Sequence, residues 1–144
     1  MKKTAEVKWA GGMQFIGKAD SNVPMVIGST EYGEGAMTSP MELVLLGLCG
    51  CTAMDVAHIL KRRRQEITDL RVTVDAERAE THPKVYTACH LKYTVRGRNL
   101  SEKAVMAAVK LTRETYCSVS AMLEKTATVT HDVEIIEESE QPNE

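Results

Sequence analysis

Aromatic side chains are scarce in this chain: one Trp, one Phe and four Tyr among 144 residues. A core of that length must be packed with aliphatic groups, and the eight methionines take up some of that work because thioether side chains fill irregular gaps. Charge of either sign is not in excess. A formal net charge of −2 argues against a general nucleic-acid surface, and the one basic cluster, Lys61 to Arg64, reads as the solvated end of a helix. No continuous apolar run approaches the ~20 residues of a membrane span; the longest lies around Leu43 to Leu48. Met1 to Trp9 lacks the apolar core of a secretory leader. These absences predict a cytoplasmic protein that meets neither membrane nor nucleic acid and keeps its thiols reduced at rest. Phosphate loops, dinucleotide fingerprints, internal repeats and interior linkers are also missing, which predicts a single domain over 1–137 and a flexible acidic tail over 138–144. With 43% hydrophobic and 26% charged residues, the composition is that of a folded globular domain rather than a disordered one.

The chain opens as a hairpin over Thr4 to Lys18, turning at Gly11-Gly12. A turn at Asp20-Ser21-Asn22 leads to a short strand, Pro24 to Ile27, and Gly28 to Ala36 reads as a loop. Ser39-Pro40-Met41-Glu42 combines an N-cap serine, a proline at the first helical position and a glutamate at N3, which is a capping box. The helix it opens is expected to reach Gln65. Its middle is apolar or small on nearly every face, so it belongs at the centre of a structure; Gly47 and Gly50 point to close approach by another element. Two strands follow. In the first, Leu70, Val72, Val74 and Ala76 alternate with polar residues; in the second, Val85, Cys89, Leu91, Tyr93 and Val95 share a face. Ser101 caps a helix running through Tyr116, a shorter helix starts near Ser118, and Val129 to Ile135 forms the last strand. Strands in runs separated by helices imply an α+β fold. The long apolar helix is more than one such chain can cover, which implies a two-fold partner.

Four cysteines remain to be placed: Cys49, Cys51, Cys89 and Cys117. Cys49 points away from Cys51 around the helix and reads as packing, as does Cys89 by strand parity. Cys51, taken alone, is either a small core residue or a nucleophile. Asp55, one turn on, disfavours a thiolate, and His58, ~10 Å along the axis, is out of hydrogen-bond reach. Cys117 falls at the break between two helices, where Ser118 can cap the second; a thiol there is either packing or is drawn toward thiolate by the helix dipole. A zinc set of Cys49, Cys51, Cys117 and a histidine lacks the usual close-pair spacing, so no metal and no cofactor is expected. His131 has the parity of a core residue, while His82 and His90 read as turn and sheet-surface residues.

Ser39-Pro40-Met41-Glu42-Leu43, then Gly50-Cys51-Thr52-Ala53-Met54-Asp55-Val56, then Tyr116-Cys117-Ser118-Val119-Ser120 resemble, in that order, the OsmC/Ohr superfamily and its OsmC-like subgroup. The resemblance implies an intertwined homodimer with antiparallel sheets wrapped around two central helices, and active sites at the subunit interface. It further implies a thiol-dependent peroxidase for organic hydroperoxides in which Cys51 is oxidised to a sulfenic acid, Cys117 condenses with it, and a dithiol reductant reopens the disulfide. Met41, Glu42 and Met54 would border the substrate, and Met25 and Met37 would add to an apolar setting. Two departures stand out. Peroxidase members carry an arginine just after the hairpin glycines, and many carry a glutamate directly after the helix-opening proline; here those positions hold Met13 and Met41, with Glu42 one residue later. A replacement cation would come from Lys18, Arg113 or the Arg62 to Arg64 run of a partner chain. The alternative is a non-catalytic dimer that binds a small apolar or thiol-reactive ligand in the interfacial pocket, and the blandest reading is a structural relic with core cysteines.

Overall fold

The computed structural model describes residues 1–29 and 37–139. Most of the loop expected over 28–36, and the tail from 140 onward, lie outside the described residues. The chain forms two compact units, Met1–Leu46 and Gly47–Glu144.

The N-terminal unit holds a three-stranded antiparallel sheet in the order β1 (Ala5–Trp9), β2 (Gln14–Ala19), β3 (Met25–Gly28). The β1–β2 turn runs through Gly11 and Gly12 at φ of 102° and 54°, a backbone region open to glycine at no steric cost. Asn22, at φ 60°, makes the second turn, which bears out both turn assignments. Helix α1 (Pro40–Arg62) begins in this unit and runs on into the next. Its capping box forms as the sequence indicates: the Glu42 N–H donates to Ser39 Oγ at 3.2 Å and the Ser39 N–H donates to Glu42 Oε1 at 3.2 Å. The helix ends three residues before the expected Gln65, because Arg64 turns left-handed at φ 58° and the chain leaves for β4.

The C-terminal unit has a second sheet, β4 (Glu66–Arg78), β5 (Tyr86–Arg98) and β6 (Thr128–Glu137), in that order. A bulge between Ile67 and Asp69 switches the inward parity of β4 from odd to even, so Ile67 and Leu70 both turn inward. The α+β class stands, with one departure from wholly antiparallel sheets: β6 runs parallel to β5. The chain between them is long enough to return to the same end of the sheet. It comprises α2 (Glu102–Leu111), a five-residue π-turn (Thr112–Tyr116) and α3 (Ser118–Leu123). Ser101 caps α2, its side chain accepting the Ala104 N–H. The continuous helix expected through Tyr116 is instead broken by the π-turn.

The core of this unit gathers Leu48, Val56 and Leu60 of α1, Leu91, Tyr93 and Val95 of β5, and Val105, Ala108 and Val109 of α2. Each large aliphatic among them contributes about 1.5–3 kcal/mol by leaving water. Buried residues recur every fourth position on α1, at Leu48, Thr52, Val56 and Leu60. The opposite stripe, Leu46, Gly50, Met54 and His58, is exposed in this chain. A Cβ added at Gly47 or Gly50 would meet nothing within 4 Å, so the close approach that these glycines suggest is not made among the described residues. By length and composition alone α1 would pass for a membrane-crossing helix, against the sequence expectation, and it is the one such helix among the described residues. The reason is that Gly47, Gly50, Cys51 and Thr52 interrupt the apolar run without adding charge.

Candidate thiol site and its hydrogen-bonded surroundings

Cys117 owes its position to the π-turn. Because that wide turn closes with the Cys117 N–H donating to Thr112 O at 2.8 Å, Cys117 is left extended at φ −73° and ψ 97° and becomes the N-cap of α3. Its sulfur accepts the Ser120 N–H at 3.4 Å, while Ser120 Oγ donates to Cys117 O at 3.1 Å. The expected cap, Ser118, is the first helical residue instead. Cys117 is buried, with 4% of its surface exposed.

Cys51, half-buried on α1, comes near enough to Cys117, although the two are far apart in sequence, for its thiol to raise the Cys117 pKa. Burial pushes the Cys117 thiol up first, and the bond to Cys51 and the charge of Cys51 add to it. The hydrogen bonds from Ser120 pull the other way. The dipole advantage expected at a helix start is therefore opposed by desolvation. Cys89 is core, as expected, and burial raises its pKa. Cys49 is only half-buried rather than packed away; burial raises its pKa, and so does the nearby Cys89.

The other residues named from sequence are more scattered. Glu42 is engaged in the cap of α1, Met41 lies half-buried in that first turn, and Met54 is 75% exposed three residues beyond Cys51. Among the cations, Arg113 is committed elsewhere. Its Nη2 donates to Val129 O at 2.8 Å and sits 3.3 Å from Glu124 Oε1, while its buried Nε and Nη1 have no hydrogen-bond partner among the described residues. Its charge bears on Tyr93 and His131. His131 is exposed on β6 rather than buried, its ring edge-on to Tyr93 at 6.1 Å. Burial of part of the ring, and then Arg113, lower its pKa. His90 lies on the sheet surface as expected, 2.9 Å from Asp132.

Sequence reading missed a polar chain beside the thiols. The Tyr93 hydroxyl lies 2.5 Å from Thr52 Oγ1, Thr52 Oγ1 lies 3.4 Å from Thr112 Oγ1, and Thr112 Oγ1 donates to Asp55 Oδ2 at 2.8 Å. Tyr93, Thr52 and Thr112 are fully buried. Asp55 reaches a cleft of about 300 Å³ that His58, Ile59, Arg62, Leu111 and Tyr116 also line. The available signal was Thr52 and Asp55, two polar residues three apart in an otherwise apolar helix.

Comparison with known proteins shows the family. The family described as OsmC-like protein matches residues 33–132. Protein YhfA of Escherichia coli (strain K12) is 41% identical over 132 residues, covering 92% of this chain and 97% of that protein. A crystal structure of a hypothetical protein from Aquifex aeolicus VF5 superposes with a TM-score of 0.86 at 32% identity, over 96% of this chain and 99% of that one. The organic hydroperoxide resistance protein OsmC from Legionella pneumophila, also described as a predicted redox protein, shares the fold at a TM-score of 0.66 and 18% identity, over 93% and 97% of the two chains. On the family match and these close relatives, the chain belongs to the OsmC-like family.

Proposed function

We propose that this protein is a thiol-dependent peroxidase that reduces organic hydroperoxides, working as a homodimer in the reducing cytoplasm. The observation that carries this reading is the proximity of Cys51 and Cys117. The Cys51 thiolate attacks the distal peroxide oxygen; the O–O bond breaks, the alkoxide leaves and takes up a proton as the alcohol, and Cys51 becomes a sulfenic acid. Cys117 then attacks the Cys51 sulfur, a disulfide forms and water leaves. A dithiol reductant reopens the disulfide by exchange. Met54, exposed three residues from Cys51, would border the substrate. The fold shared with a protein described as an organic hydroperoxide resistance protein is consistent with this chemistry.

Stoichiometric organic hydroperoxide, followed by peptide mapping, is expected to yield a Cys51–Cys117 disulfide, and Cys51→Ser is expected to abolish turnover. Two free thiols after peroxide treatment would sink the proposal. One observation favours a second reading, a dimer that binds a small apolar or thiol-reactive ligand without turnover: Met13 stands where peroxidase members carry arginine, and Arg113 is engaged with Glu124. A ligand retained through purification, found by native mass spectrometry in protein that does not consume peroxide, would favour that reading.

A further inference from the structure

Thr112, at the start of the π-turn, bonds in two directions. Its carbonyl accepts the Cys117 N–H at 2.8 Å, which closes the turn. Its hydroxyl donates to Asp55 Oδ2 at 2.8 Å and lies 3.4 Å from Thr52 Oγ1. Both of those partners belong to α1 beside Cys51: Thr52 is the next residue, and Asp55 lies one turn on, along the same face. One residue thus joins the helix that carries Cys51 to the backbone that carries Cys117. The joint opposes an alternative, because a π-turn is rare and the α-helix is the ordinary continuation. In that continuation the Cys117 N–H would bond the Arg113 carbonyl, four residues back, and Cys117 would be carried roughly 100° around the axis. Arg113 is fastened as well: its Nη2 donates to Val129 O of β6 at 2.8 Å and sits 3.3 Å from Oε1 of Glu124, the C-cap of α3. The π-turn is therefore held from α1 on one side and from β6 and α3 on the other.

We propose that Asp55 and Thr112 are positioning residues for the resolving thiol: the bond between them ties the π-turn to α1 and so holds Cys117 toward Cys51. This rests on the reading above in taking Cys51 and Cys117 as the pair that joins. In the step served, the Cys117 sulfur bonds to the Cys51 sulfur and the S–O bond of the sulfenic acid breaks. Hydroxide leaves with the bonding pair and combines with the proton of the Cys117 thiol as water. Neither Asp55 nor Thr112 exchanges a bond. Their part is to fix geometry in advance, which raises the effective concentration of one sulfur at the other. The tether needs an acceptor at Asp55 rather than a charge. Asparagine supplies one, with its carbonyl toward Thr112 and its amide toward the cleft that Asp55 borders; alanine supplies none.

The test needs no peroxide. Full-length protein carrying Cys49→Ser is equilibrated with glutathione and glutathione disulfide, and the Cys51–Cys117 disulfide is quantified by peptide mapping. Glutathione disulfide takes both electrons: the protein dithiol becomes the disulfide and two glutathione thiols are formed. The equilibrium ratio gives the effective concentration of the pair. Asp55→Ala and Thr112→Val are each expected to lower it by at least about tenfold, the effect of losing one hydrogen bond to a charged group. Asp55→Asn and Thr112→Ser, which keep the bond, should stay near the parent value. Ser39→Ala, which weakens the far end of α1, should lower the urea midpoint and leave the effective concentration unchanged, so that a general loss of stability is told apart from a loss of positioning. Parental values in Asp55→Ala and Thr112→Val would overturn the tether. So would Asp55→Asn falling as far as Asp55→Ala, an equal fall in Ser39→Ala, or a parent that forms no Cys51–Cys117 disulfide. If organic hydroperoxide leaves no sulfenic acid on Cys51 of the parent, the peroxidase reading falls while the glutathione result still decides the tether.

Discussion

At Cys117, burial and hydrogen bonding pull in opposite directions. Burial removes water from the thiolate and raises the pKa; the neighbouring Cys51 adds to this by bond and by charge; the two Ser120 hydrogen bonds favour the thiolate. Removing Cys51 removes two of the raising influences and leaves burial in place. Alkylation of Cys117 followed against pH, by peptide mapping, should therefore show an inflection above the ~8.5 of a free thiol in the parent. The inflection should fall in Cys51→Ser while remaining raised, and an unmoved inflection would mean that the thiols do not interact. Local position left both cysteines open in the sequence, Cys51 as core or nucleophile within an apolar helix and Cys117 as packing or thiolate at the break before Ser118; only the family resemblance paired them. Their partners were not. Thr52 meets Tyr93 and Thr112 across separations of 41 and 60 residues, and no local pattern encodes a contact at that distance. Asp55 was visible only as a charge near Cys51, whereas Thr112 engages one of its oxygens.

Elements were legible to the extent that their ends are local. Four consecutive residues, Ser39 to Glu42, specify the start of α1, and the two reciprocal hydrogen bonds form as expected. Ser39→Ala should cost about 1 kcal/mol by leaving the Glu42 N–H without its side-chain acceptor, read as a lower urea midpoint with unchanged slope. An unchanged midpoint would mean that the cap adds nothing to stability. The π-turn was not legible. The apolar spacing of Val105, Ala108, Val109 and Thr112 carries an ordinary helix straight through, and the wider turn appears only in the closing bond from Cys117 to Thr112. That turn makes Cys117 the cap of α3 and gives Thr112 the place from which it reaches Asp55. A local irregularity thus positions both the thiol and the polar chain. The parallel pairing of β6 was also hidden, since alternation specifies which face of a strand is buried and not which way the strand runs.

At the scale of the whole molecule, what one chain leaves uncovered carries the most information. Proteins of this family are typically homodimers, and α1 here is two-sided: one stripe is buried and the other, Leu46, Gly50, Met54 and His58, is open. Val7, Trp9, Ile16, Met25 and Val26 are exposed on the N-terminal sheet as well. A lone chain and a dimer built on the open stripe give opposite signs for one substitution. In a lone chain nothing among the described residues lies within 4 Å of a Cβ at Gly50, so Gly50→Leu should stabilise α1, since glycine in a helix interior is about 0.8–1 kcal/mol worse than alanine and leucine is nearly as good as alanine. Where a second helix lies against that glycine, the added side chain must push it away, at a typical cost of about 1–3 kcal/mol for an overpacked contact. The homodimer reading predicts the second result. The parent should sediment at twice the 15.9 kDa chain mass, and Gly50→Leu should unfold at lower denaturant and shift toward the single-chain mass on dilution. A parent that sediments as one chain, with Gly50→Leu more stable than it, would mean that the open face of α1 is solvated and that the thiol pair works within a single subunit.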